Sequence, residues 1–196
     1  MKRRARRRRR RWPVLGAVAA LLGLVAGLLV ASGTFDRALQ ELTLPLRHED
    51  VIRQQAAEKE VDAALIAAVI YSESRFRDQT STAGARGLMQ ITPAAANEIE
   101  KLSGGSTFKL SDLSDPEINI RYGTFFLHEL LDRYEGDEVA ALAAYNAGPS
   151  NADRWGGTSL KLEEIPFGET RGYVAEVLDK QRAYRDTYPG ELGYGK

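Results

Sequence analysis

The sequence predicts an all-α domain preceded by a single N-terminal transmembrane helix. Three observations carry that prediction. An uncharged apolar run sits directly behind an arginine-rich start, helix caps recur at the head of apolar periodic segments, and no stretch alternates cleanly as a strand would. The chain has 196 residues, enough for one domain with appendages.

The first element is the apolar run. Residues 1–11 hold nine basic side chains (Lys2, Arg3, Arg4 and Arg6 to Arg11), and residues 12–35 hold no charge. Val14 to Ala31 would reach roughly 27 Å as a helix at about 1.5 Å per residue, close to the hydrocarbon thickness of a bilayer. Basic residues on one side only place the N-terminus in the cytoplasm and the body outside. The competing reading is a cleaved signal peptide cut near Val30-Ala31-Ser32-Gly33, and the length of the apolar run favours an uncleaved anchor. Both readings export the body. The expected division is a cytoplasmic Arg-rich segment 1–13, an anchor 14–31, a tether 32–47, a catalytic domain 48–190 and a tail 191–196.

The body reads as helices. Glu49 to Glu58 is amphipathic. Asp62 offers an N-cap to Ala63 to Tyr71, which is apolar nearly all round and is therefore the expected central helix. Thr92-Pro93 pairs a cap with proline at the first helical position, opening a helix to about Lys101. Ser114 or Asp115 before Pro116 repeats that signal for a helix to about Tyr134. Asp137 caps an Ala-rich helix stopped by Gly148 and Pro149. A last helix runs from about Glu169 to Tyr188.

Composition then narrows the chemistry. The formal net charge is zero, with 27 basic and 27 acidic residues. Setting aside the nine basic residues of the N-terminus leaves 18 basic against 27 acidic, a formal −9 on the body. That balance argues against nucleic-acid binding. Without cysteine there is no disulfide framework, zinc–thiolate site or thiol nucleophile. No G-x-S-x-G elbow, P-loop or G-x-G-x-x-G is present. His128-Glu129 is followed by Asp132 where a zinc protease needs its second histidine. Carboxylate chemistry remains.

Glu73 stands out among the carboxylates. At helical spacing it shares a face with Ile66, Val69 and Ile70. A glutamate ending a buried stripe is desolvated, which raises its pKa and suits it to general-acid work. From periodicity alone, a helix-end glutamate turned to solvent is the commoner outcome. Gly84 to Gln90 taken alone is a loop, and Ala144 to Gly148 taken alone is a helix terminus.

Taken together, four blocks resemble the bacterial soluble-lytic-transglycosylase (SLT) domain, with its goose-type-lysozyme-like fold. They are Ala68 to Phe76, Ser81 to Pro93, Ala143 to Pro149 and Ile165 to Val174, in family order. Asp115 to Gly123 matches the family's connecting helix. The resemblance covers about residues 46–185. It implies that Glu73 is the catalytic acid. It also implies that Ser81 and Gln90 line the sugar groove, that Tyr145 and Asn146 stand beside the acid, and that Glu169 lies in the groove opposite. Two departures stand out: the stretch between Glu73 and Ser81 is one residue shorter than usual, and Thr92 replaces a common methionine.

The implied substrate is peptidoglycan, cut at its MurNAc-β-1,4-GlcNAc bonds without water to leave 1,6-anhydro-MurNAc ends. The implied enzyme needs no metal or cofactor and works at the outer face of the cytoplasmic membrane. Two other readings stay open: a lysozyme-like hydrolase assisted by a second carboxylate, Glu169 first, and a non-catalytic glycan-binding module.

Overall fold

A computed structural model describes residues 12–31, 33–104 and 109–195; the side chains of 12–14, 29, 31 and 34–38 are not described. The expected cytoplasmic Arg run lies outside the described residues, as do Ser32 of the alternative cleavage site and Lys196 of the tail. The chain divides into two units at Leu44 and Pro45.

The first unit contains α1 (Trp12–Ala31) and α2 (Thr34–Thr43). Among the described residues no helix is long and apolar enough to cross a membrane. The expected tether is largely helical instead. Phe35, Ala38, Leu39 and Leu42 recur at helical spacing, and that periodicity forms α2.

The second unit is built from α3 (Glu49–Lys59), α4 (Ala63–Ser74), α5 (Pro93–Ser103), α6 (Pro116–Arg133), α7 (Glu138–Ala147), α8 (Pro149–Trp155) and α9 (Gly168–Thr187). The caps read from the sequence form: Asp62 accepts from the Leu65 amide, Thr92 from Ala95, Asp115 from Glu117 and Ile118, and Asp137 from Ala140. Pro149 does more than end α7. Gly148 closes that helix, and Pro149, at the first helical position, opens α8.

Helix α4 is the core. Every side chain from Ala63 to Tyr71 is buried, and α9 is its main partner, with α3 alongside. Tyr184 of α9 ties this layer together. It packs edge-on to Tyr71 at 6.3 Å and against Phe76 at 6.2 Å, and its hydroxyl donates to the Pro45 carbonyl at 2.6 Å.

Residues 191–195 are part of this unit and not a loose tail. Leu192 is buried, and the Tyr194 hydroxyl donates to Asp62 Oδ1 at 2.6 Å while accepting from the Ala64 amide at 2.8 Å. An apolar and an aromatic side chain there have surface to bury, so the segment closes over the start of α4.

Candidate active site

The chain turns abruptly after Glu73. Arg75 and Phe76 both have positive φ, at 52° and 58°, and Gln90 on the returning loop has 47°. Non-glycine residues in that region each cost on the order of 1–3 kcal/mol, and such strain clusters at functional sites. The loop between them, Arg77 to Gln90, folds on two isolated antiparallel bridges, Thr80 to Arg86 and Arg86 to Ile91.

Helix α6 receives this loop through one buried amide. Asn119 is fully buried; its Oδ1 accepts from the Met89 amide at 2.8 Å, and its Nδ2 donates to the carbonyls of Arg86 and Leu113, both at 2.9 Å. Gly87 approaches so closely that a Cβ there would lie 2.1 Å from Asn119 Nδ2, at a φ of 74°. No L side chain fits that position. Met89 in turn packs on Gly123 of α6, where an added Cβ would meet its sulfur at 2.4 Å.

Gln90 is therefore held firmly. Its Nε2 donates to the carbonyls of Gly87 at 2.8 Å and Gln79 at 3.0 Å, and Gln79 Nε2 donates to the Glu73 carbonyl at 3.2 Å. The two glutamines stitch the loop to the end of α4. Ser81 accepts from the Ala85 amide at 3.0 Å, so its oxygen closes its own turn.

The Glu73 carboxyl is partly buried, and burial pushes its pKa up to about 7. The Tyr173 hydroxyl of α9 pulls the other way by favouring the ionised form. It completes no hydrogen bond of ordinary geometry, however, and is buried without a partner. Burial, and then the charge of Glu73, hold the Tyr145 and Tyr173 hydroxyls well above the usual phenol range, so both are neutral donors near pH 7. Among the described residues no second carboxylate contributes to the pKa of Glu73.

Tyr145 joins this acid to open space. Its hydroxyl donates to the Met89 carbonyl at 2.9 Å, its ring packs on Phe126 at 5.7 Å, and it lines a cavity of about 520 Å³ together with Thr92, Glu98, Arg133 and Asn146. Asn146 also borders a recess of about 340 Å³ with Phe167, Glu169 and Thr170. The two spaces share Asn146 and Ala147 and so meet over the end of α7. Asn146 Oδ1 is fixed by the Thr170 hydroxyl at 2.8 Å. Phe167, half exposed, stands edge-on to Trp155 at 4.9 Å and gives the recess an aromatic wall. Glu73 lines neither space, and its charge is felt by the Tyr145 hydroxyl that borders the larger one.

The sequence-derived residues thus separate into three settings. Glu73 and Tyr145 are brought together. Gln90 is tied to the Glu73 backbone through Gln79, and Asn146 and Glu169 share the recess. Ser81 is engaged within its own loop. Sequence reading overlooked Tyr173, Gln79 and Asn119. Tyr173 had a signal, since it sits beside the buried α9 positions Thr170, Val174 and Val177, where a phenol must face the α4 side. Gln79 and Asn119 act through loop geometry that no spacing rule reveals.

With this geometry in hand, comparison with known proteins decides the family. The Transglycosylase SLT domain profile matches residues 50–167. This chain belongs to that family. The soluble lytic murein transglycosylase of Escherichia coli K12 is 34% identical over 154 residues, covering 74% of this chain and 24% of its own length. The crystal structure of the 70 kDa soluble lytic transglycosylase of E. coli superposes with a TM-score of 0.72 at 30% identity, covering 86% of this chain and 28% of that one. An inactive glutamate-to-glutamine mutant of the Pseudomonas aeruginosa lytic transglycosylase Slt gives 0.70 at 32%, covering 75% of this chain and 25% of that one. The SLT domain is thus an all-helical, lysozyme-like fold in this chain as well, and the chain spans about a quarter of the length of these relatives.

Proposed function

We propose that this protein is a membrane-anchored lytic transglycosylase that cleaves the MurNAc-β-1,4-GlcNAc bond of peptidoglycan and leaves 1,6-anhydro-MurNAc ends, with Glu73 as acid and then base. The observation that carries this reading is the Glu73 carboxyl at the end of the buried helix α4, pushed up to about 7 by burial, with the neutral hydroxyls of Tyr145 and Tyr173 sensing its charge.

Protonated Glu73 gives its proton to the glycosidic oxygen as the C1–O4 bond breaks. The carboxylate so formed takes the proton of the muramyl C6 hydroxyl while O6 bonds to C1. Atoms balance without water, and the carboxyl returns to its starting state. A pKa near working pH suits a group that must do both. The Tyr173 hydroxyl supports the middle of this cycle, because its unpartnered proton can turn to Glu73 when the carboxylate forms. Gln90, Asn146, Phe167 and Glu169 would hold the sugars, with Phe167 supplying an apolar face. A hydrolase would pair Glu73 with a second carboxyl at about 5–5.5 or 6.5–9.5 Å to activate water or form a glycosyl intermediate.

The anchor rests on the 20-residue α1, uncharged throughout, preceded by nine basic residues. Its described large side chains, Leu15, Val18, Leu21, Leu22, Leu24, Val25, Leu28 and Val30, are exposed, as suits contact with lipid. The domain would then act in the periplasm or wall space.

Mass spectrometry of muropeptides released from purified peptidoglycan by residues 36–196 tests the chemistry, with Glu73→Gln as control. Ends about 18 Da lighter than hydrolytic ones are expected, the mass of the water not added. Reducing ends would overturn the non-hydrolytic route.

A further inference from the structure

Helix α2 is amphipathic, and the two leucines of its apolar stripe whose side chains are described, Leu39 and Leu42, are exposed. Phe35, Ala38, Leu39 and Leu42 fall within about 100° of one another at helical spacing, while Asp36, Arg37, Gln40 and Glu41 occupy the rest of the circumference. Leu39 is 49% exposed and Leu42 81%, large values for leucines in a regular helix. A helix with a strongly segregated apolar face and little overall hydrophobicity is the kind that lies in a membrane interface, with its apolar side a few ångströms below the headgroups.

We infer that α2 lies flat on the outer leaflet of the bilayer that α1 crosses. The inference rests on the anchoring reading above and adds to it. Two features choose lipid as the occupant. First, α2 starts only three residues after Ala31, the last residue of α1, so it emerges at the headgroup level by connectivity alone. Second, three or four apolar side chains with almost no net charge bind a membrane weakly by themselves. Attachment to a spanning helix makes the contact intramolecular, which turns weak binding into near-complete occupancy.

The chain has no cysteine, so single labels can be placed cleanly. In full-length protein reconstituted into phosphatidylcholine–phosphatidylglycerol vesicles, Leu39→Cys and Leu42→Cys would carry an environment-sensitive fluorophore. Arg37→Cys and Gln40→Cys would report the opposite face, and Val18→Cys would report α1. The expected result is emission at 39 and 42 that shifts to the blue and is quenched by brominated lipid several-fold more strongly than at 37 and 40. If 18 is quenched and all four α2 positions are equally solvated, the interfacial helix is wrong and the anchor stands. If 18 escapes quenching as well, the anchor reading itself fails. Blue-shifted emission at 39 and 42 that is indifferent to brominated lipid would mean a protein surface covers the stripe, and would overturn the inference.

Discussion

The two ends of α4 each carry a carboxyl group, and the fold treats them oppositely. At the N-terminus, burial pushes the Asp62 pKa up. The Tyr194 hydroxyl, the Leu65 amide and Arg185 together outweigh burial, and the group ends below its ordinary value. At the C-terminus, burial pushes Glu73 up to about 7, and only Tyr173 opposes it. The helix dipole works in the same direction at both ends, favouring an anion at the start and disfavouring one at the finish. Burial by itself does not decide whether a carboxyl is a structural anion or a proton donor. The number of donors supplied with it does.

The sharpest break in this comparison comes from removing the proton itself. Glu73→Gln should keep the fold and lower glycan cleavage at least about a hundred- to ten-thousand-fold, the usual worth of a positioned acid–base group. Release of soluble muropeptides measures it. Asp62→Asn at the other end of the same helix keeps a capping oxygen and should leave cleavage within a few-fold of the parent. Equal losses at both ends would mean that neither carboxyl is chemical.

The next effect is on stability, and its sign differs between the ends. Asp62→Ala removes a cap, the Tyr194 hydroxyl's acceptor and the partner of Arg185, and should cost about 1–3 kcal/mol near pH 7. Because the folded pKa of Asp62 is lowered, its contribution is present above the unfolded value near 3.9 and disappears as pH falls through the folded one. Glu73 behaves in reverse. Its folded pKa is raised, so its contribution is full below about 4.5 and is lost as pH rises to about 7. Thermal melts of Glu73→Gln should therefore match the parent near pH 4 and exceed it near pH 8, by up to about 3 kcal/mol before solvent screening reduces it. A constant difference across that range would show that Glu73 is not desolvated.

Much of this contrast was legible in the sequence. Asp62 before an apolar run is a cap by residue type. Periodicity set Glu73 on the buried stripe but left a solvent-facing glutamate the commoner outcome, and it was the four blocks resembling the SLT domain that pointed to it as the acid. What remained hidden came from segments without periodicity. Tyr194 looked like part of a tail, yet among the donors that hold Asp62 as an anion its hydroxyl comes first. The Asn119 amide reads the loop backbone at Arg86 and Met89, and the Leu113 carbonyl ahead of α6, a contact set by the tight turn at Gly87 and invisible to spacing. Helix α2 was missed for another reason: a ten-residue amphipathic stripe directly after a long apolar run is easily taken for the connector that its flanking Gly33 and Pro45 suggest.

The smallest effect tests what sets Glu73 apart from Asp62 most directly, the one donor that faces it. Tyr173→Phe removes that hydroxyl and leaves the ring in place against α4. With the opposing influence gone, the pKa of Glu73 should rise further. The alkaline limb of kcat/KM against pH, which marks loss of the proton from the free enzyme's acid, should then move upward. The maximal rate should fall only modestly, because Tyr173 stabilises the transient carboxylate and moves no proton of its own. Where Glu73 is protonated folding should not suffer, since the hydroxyl has no partner of ordinary geometry there. A limb that stays in place would mean the hydroxyl does not sense the carboxyl, and burial alone would then account for Glu73. A limb that moves downward would reverse the sign of the interaction, and the contrast between the two ends of α4 would need another cause.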